Sequence, residues 1–521
     1  MKHFEGKLGV DGLWNSFDYD DTEFAIKGMP YSYYELGDPK VTSLVYIGEG
    51  KRPIVLPEGC NCCDYMFYDY SFRNPDSLKD LNTLNVKSMA YMFSHCTFKK
   101  AIILNFNTSN VENMSFMFQL SEFSKGFALG NNFNTSNVKS MNSMFSNCKL
   151  PVGFSLGDNF DTSNVEDMGY IFNYSSLPKG FSLGNKFYTK NVKNMRGMFA
   201  NCIKFPEGFS LGRFFDTFNV KDMGGMLANC EMPEGFTLGD KFCTCNVEAM
   251  DSMFTSCIFP RGFSLGSLFN TVKVKNMRSM FYMVHFPKGF TLGDNFNTCN
   301  VEYMDDMFRS CIFPRGFTSL GSNFDTSGVI NMSRMFSGSK FMDMFSLGGK
   351  FIISSDTITE EMFCGCEFRK GIDLGNHFQT DCFTNIFERS NLPEDVLKMS
   401  NNEAIDYLNN QVKERNKRVI NDCKKEIVAH LKDGVSIDKT VALVSKGKNV
   451  DIELVCEAEK EVLDLLSKKC LVAVDSIMSM EGGRSKYTVG QAKEKLISKK
   501  YPKEVVNEVL VNYLSNQYLY K

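Results

Sequence analysis

Between Met66 and Phe387 the chain repeats one arrangement of apolar and polar positions about a dozen times. In the copy built around Val192, taken as position 0, the apolar residues fall at 0, 3, 6, 7 and 10: Val192, Met195, Met198, Phe199 and Cys202. That spacing predicts one face of a short helix, with Asn191 as its N-cap. A helix of about ten residues is too short to stand alone and must be held by the copies on either side. Upstream, Pro178 and Gly180 mark a turn. Phe181, Ser182 and Leu183 then alternate apolar, polar, apolar until Gly184. The alternation predicts a short strand with Phe181 and Leu183 inward and Ser182 outward. Phe187 follows as an inward loop anchor.

The anchor valines give the period. Val111, Val138, Val165 and Val192 are 27 apart, and Val220, Val247, Val274 and Val301 continue the series. Single-residue insertions disturb it near Ile203 and Ser319. Fixed self-similarity at this length marks a solenoid, whose copies contact mainly their neighbours. The expected fold is an α/β repeat solenoid, leucine-rich-repeat-like, with a parallel sheet and one short helix per ~27-residue repeat. About 12–13 copies fill residues 60–391, and a step of about 4.8 Å would make a rod roughly 55–60 Å long.

Charge supports this stacking. The residues after the anchors read Glu112, Lys139, Glu166, Lys193, Lys221, Glu248, Lys275 and Glu302. Like charges meet only at Lys193 and Lys221, so neighbouring copies can pair oppositely charged side chains along one column.

The ends depart from the pattern. Residues 1–59 hold Trp14, Phe17, Phe24, Tyr31 and Val41–Ile47, which suit a β-rich cap over the first copy. From residue 392 to 521 Phe and Gly give way to Glu, Lys, Leu and Val. That stretch reads as an all-α domain with helices over 402–432, 436–445, 451–480, 487–498 and 503–515, the second capped by Ser436.

The skewed composition, 48 Phe and 30 Met against one Trp, comes from the repeat. A net charge of -3 provides no global field for nucleic acid or anionic membrane. No apolar run is long enough for a membrane span. Met1–Lys7 is charged and lacks an apolar core, so no secretory signal is visible in the chain as given.

Of 18 cysteines, Cys96, Cys148, Cys202, Cys230, Cys257, Cys311 and Cys366 recur three residues after the Phe (or Leu227) of the Met-Phe pair. Ser121, Ser175, Ser339 and Ser390 take that place in other copies. A slot that accepts Cys or Ser asks for a small side chain rather than a disulfide, which suits reduced thiols in the cytoplasm. Cys60 and Cys63 have C-x-x-C spacing, but no second pair follows, and core packing is expected before zinc. Cys243, Cys245 and Cys299 in the loop column are likewise read as small-residue packing. The five histidines are scattered, with no triad, metal or phosphate-loop spacing. No catalytic residue, metal ligand or cofactor is assigned, and the chain is not read as an enzyme.

The phrase Phe133–Cys148, with Phe160–Val165 and Phe324–Ser327, resembles the BspA-type leucine-rich repeats, whose signature is F-D-T-S-N-V-x-x-M-x-x-M-F-x-x-C. The resemblance implies a recognition solenoid, and many such proteins act at cell surfaces. A cell-surface or secreted location is therefore the alternative to a cytoplasmic one.

The expected function is a non-enzymatic scaffold that binds another protein, with no small-molecule substrate, nucleic acid or membrane insertion. The expected binding surface is the outward column Ser155, Ser182, Ser210, Thr237, Ser264 and Thr291 with its charged rims. One alternative is an intracellular effector or inhibitor of phage or mobile-element type that blocks a host complex. Another is a nucleic-acid-acting protein or enzyme that works through the helical domain.

Overall fold

The computed structural model describes residues 60–72, 75–78, 81–375, 386–433 and most of 435–518, with scattered positions outside these spans. The cap expected over 1–59 lies almost wholly outside the described residues, apart from an antiparallel pairing of Lys7–Leu8 with Trp14–Asn15. Two compact units result, Met1–Asp406 and Tyr407–Lys521.

The first unit is a parallel β-solenoid. Eleven consecutive parallel bridges link the residue two places after each anchor, from Cys62 through Ser88, Asn194 and Asn276 to Ile358. A second ladder runs from Ser71–Phe72 through Thr97–Phe98 to Lys149, Ser176 and, further on, Ile258, His285 and Glu367. It skips the step into the copy that carries the extra residue Ile203, which is exposed with φ 51°.

The segment expected to be helical is a run of turns. Met168, Tyr170, Phe172 and Tyr174 donate to the carbonyls of Asn194, Arg196, Met198 and Ala200 in the next copy, at 3.0, 2.7, 2.9 and 2.8 Å. Between them, Ile171, Asn173 and Ser175 donate three residues back within their own copy. Two residues per copy take left-handed angles four places apart, such as Tyr170 (φ 55°) and Tyr174 (φ 56°). An α-helix would keep every N–H inside the copy. Here half of them bond to the next copy instead, and a ten-residue segment with no stability of its own gains partners by stacking. The 0, 3, 6, 7, 10 pattern suits both shapes, because turns of three and four residues also return the chain to the core. In the slot of Tyr170 the next copy has Gly197 (φ 57°), where an added Cβ would lie 2.4 Å from the Tyr170 ring.

The Phe-x-Leu alternation holds outside the copy with the inserted Ser319: Phe181 and Leu183 are buried while Ser182 is exposed. Among the described residues, backbone pairing at this segment occurs only near the solenoid's ends, as between Ile103–Leu104 and Ala128–Leu129 and between Phe345–Ser346 and Ile372–Asp373. Ring spacing also differs between the two sides of a copy. Phe172 stacks on Phe199 at 5.6 Å and Phe281 on Phe308 at 5.5 Å, but Phe154–Phe181 and Phe181–Phe209 are both at 6.5 Å. The rings thus stand closer in the Met-Phe column than in the F-S-L-G column. Among the described residues the middle copies make no backbone ladder at this segment.

The fixed polar letters staple the copies. Thr189 and Thr217, fully buried, donate to the Asp216 and Cys243 carbonyls of the following copy, both at 2.8 Å. Asn191 donates its amide to the Ser163 carbonyl of the preceding copy at 2.7 Å, and Asn110, Asn137, Asn164 and Asn246 act alike. The N-cap reading of these asparagines is thereby corrected: with no helix there are no orphan helical N–H groups, and the amide reaches a neighbour instead.

The Cys/Ser slot is small, as expected, and it is also a donor. Cys148, Cys202, Cys257 and Cys311 direct Sγ to the carbonyl of the Phe or Leu slot one copy back, at 2.9–3.0 Å. Ser121 and Ser339 do the same with Oγ. Burial pushes these thiols up, Cys148 and Cys230 to about 12. We expect Cys202→Ser to be nearly neutral and Cys202→Ala to cost about 1 kcal/mol through loss of the second hydrogen bond to the Phe172 carbonyl, which keeps only the Ser175 N–H. Urea denaturation of both variants measures the difference, and equal losses would remove the donor role.

The last copy is closed within the same unit. Asn391 imitates a further strand, since its Oδ1 accepts from Phe368 N at 2.8 Å and its Nδ2 donates to Phe368 O at 3.4 Å. Helix α1 (Glu394–Leu397) and the start of α2 (Asn401–Lys432) follow, and Asn401 Oδ1 accepts from Ile386 N. The first unit accordingly runs to Asp406.

The second unit is helical, as expected: the rest of α2, then α3 (Ile437–Lys448), α4 (Ile452–Met478), α5 (Val489–Ser498) and α6 (Lys503–Tyr518). Helix α4 serves two cores. Its first half packs Val455, Ala458 and Val462 against Ile427 and Val444. Its second half packs Cys470 and Val474 against Leu496 and Val506. Thr488 and Gln491 form a capping box on α5.

Candidate interaction faces

The Thr, Asn and Cys ladders fix the copies in register, so equivalent surface positions form columns. Ser155, Ser182, Ser210, Thr237, Ser264 and Thr291 are all exposed, one per copy. Their backbone groups make no hydrogen bond to a neighbouring copy, unlike Ala128, whose N–H reaches Ile102 O at 2.9 Å. The column is thus a strip of small hydroxyls over an unpaired extended backbone.

The charged rim behaves as its alternation predicts. Lys139 pairs with Glu112 at 2.9 Å, Lys193 with Glu166 at 2.6 Å and Lys221 with Glu248 at 2.6 Å. The like-charged neighbours Lys193 and Lys221 turn away from each other, each toward its own glutamate.

A second face lies on the turns and differs from copy to copy. Arg196 Nε meets Asp222 at 2.8 Å, and its two terminal nitrogens meet both oxygens of Asp251 at 2.9 and 2.7 Å, two copies away. The guanidinium lies over Gly224, where an added Cβ would come within 2.5 Å of it. The bidentate bond to Asp251 holds Arg196 firmly protonated. Arg278 pairs with the buried Asp305 at 2.6 Å. Burial raises Asp305, the Arg278 charge only partly offsetting it. Burial also opposes ionisation of Asp306, but hydrogen bonds from Arg334 and Arg309 outweigh it and hold that carboxyl low. Toward the first copies the same face is aromatic, with Tyr65, Tyr91 and Phe116 stacked at 4.4 Å per step.

These ionic groups escaped sequence reading. The signal was present as columns two and four places after the anchor: Asp222 stands in the first, Arg196, Asp251, Arg278 and Asp305 in the second. Which column faces which could be read only after the helix was replaced by turns.

The cysteines sort by place. Cys60 occupies the anchor slot and Cys63 the first Met slot of the first described copy, both buried. Cys243 and Cys245 are half-buried and Cys299 is exposed, which corrects their reading as packing residues. Their loop column lies outside the core, where the Asn or Asp and Ser of other copies close a turn. Among the described residues no group of three or more His, Cys, Asp or Glu could hold a metal ion, and no helix is long and apolar enough to cross a membrane.

A family model described as "Mycoplasma protein of unknown function, DUF285" matches the chain three times, over residues 61–176, 153–261 and 263–377. No curated protein and no solved structure matches the chain.

Proposed function

The chain belongs to that DUF285 family, matched over more than half its length, and from this premise we propose that it is a non-enzymatic scaffold whose solenoid holds a partner protein. The observation that carries the reading is the exposed Ser/Thr column, six copies long, on extended segments whose backbone is not used between copies. Small side chains let a partner's chain come close, and unpaired N–H and C=O groups offer it hydrogen bonds. The ladders beneath keep the strip rigid, which lowers the entropy lost on binding. The likeness to BspA-type repeats supports the same reading, since those solenoids serve recognition. A reduced, cytoplasmic setting fits it too, because the slot thiols are engaged as hydrogen-bond donors.

The test replaces Ser182, Ser210 and Thr237 together by Trp in the full chain and compares capture of partners from the native cell. We expect capture to be lost while circular dichroism and melting stay unchanged. A folded triple variant that captures the same proteins with equal affinity would overturn the proposal.

A further inference from the structure

Copy by copy, the loop before each anchor closes a small turn. Asn134 Oδ1 accepts from Ser136 N at 2.9 Å, and Asp161, Asn270 and Asn297 serve the same way. In the copy anchored by Val247 both turn positions are cysteines. Cys243 Sγ takes the acceptor place, with Cys245 N at 3.5 Å, and the two sulfurs stand 2.7 Å apart. Both side chains are partly open to solvent, whereas the slot cysteines are buried. The loop between them is pinned independently of the sulfurs: the Thr244 hydroxyl both donates to Asn270 O and accepts from Asn270 N, each at 2.7 Å. Lys273, bonded to Asn246 Oδ1 at 2.7 Å, sets a positive charge beside the pair.

We propose that Cys243 and Cys245 form a reversible redox modification site, a vicinal dithiol that closes to an intramolecular disulfide by exchange with a low-molecular-weight disulfide. Cys243 holds the acceptor place of the turn, with the Cys245 N–H directed at its sulfur, and it attacks first. Its thiolate forms a bond to one sulfur of the small disulfide and expels the other half as a thiolate, leaving a mixed disulfide on Cys243. The Cys245 thiolate then attacks Cys243 Sγ and expels the second half. The protein loses two protons and two electrons. The small disulfide gains them and leaves as two thiols. A ring closed over one intervening residue is strained and easily reduced, which makes the step reversible.

The test uses the full chain with glutathione disulfide, an acid quench, alkylation and peptide mass mapping. Cys299 is an internal control, being exposed in the same column with Asn297, not cysteine, at its turn partner. The expected result is a peptide over 243–245 that lacks two hydrogens and carries no glutathione, while Cys299 retains its glutathione adduct. Dithiothreitol should restore both thiols. Cys245→Ser should instead accumulate glutathione on Cys243. Free thiols at 243 and 245, or an adduct there as persistent as on Cys299, would overturn the proposal. So would a Cys245→Ser protein that takes up no glutathione.

Discussion

Replacing Phe281 by Ala is expected to lower stability by about 3–5 kcal/mol, the range for emptying a large buried side chain. Phe281 has no exposed surface and stacks on Phe254 at 5.6 Å and on Phe308 at 5.5 Å. It also contacts Phe286, Phe290 and Phe296. The hole therefore opens between three copies at once. A solenoid holds itself by nearest-neighbour interfaces, so a break in the middle weakens two of them. Urea denaturation followed by circular dichroism measures the loss. Phe281→Leu should cost less, because Leu227 fills the same slot of another copy and is fully buried there. Equal losses for Ala and Leu would mean that aromatic stacking, not filled volume, decides stability at this slot.

The second large effect is expected from Thr244→Val, a change that keeps shape and removes one hydroxyl. Thr244 bonds both backbone groups of Asn270 in the next copy, and Thr298 and Thr326 do likewise to Asp325 and Ile352. Val would strand an N–H and a C=O at about 1–3 kcal/mol each, discounted here because Asn270 is partly open to water. The expected net loss is about 2 kcal/mol, with faster hydrogen exchange at the Asn270 amide. Thr244→Ser, which keeps the hydroxyl, should recover most of it. A Val variant that melts with the parent would show that the Thr ladder follows register without enforcing it.

Both predictions concern letters that repeat in the sequence, and they show how far repetition can be read. Val192, Met195, Met198 and Phe199 could be assigned to the core from spacing alone, and all four have no exposed surface. The exposure of Ser182 and the pairing of Lys193 with Glu166 were legible in the same way, because each needs only period and sign. Thr189, Asn191 and Cys202 were legible as fixed positions but not as what they do. Each bonds a group 27, 28 or 30 residues away, and sequence distance does not say which carbonyl a stacked neighbour will present.

By itself the sequence determined the solenoid, its register, the inward residues and the change to a helical unit. These follow from periodicity and burial, which act locally and identically in every copy. Only the tertiary structure decided that the apolar segment is a run of turns and not a helix. That choice depends on where half its N–H groups find carbonyls, and the carbonyls belong to the next copy. The tertiary structure also decided the Arg196 bridge to Asp251 and the partial exposure of Cys243 and Cys245. Each arises from how closely neighbouring copies approach on each side, a distance set by the whole packed column and written in no single repeat.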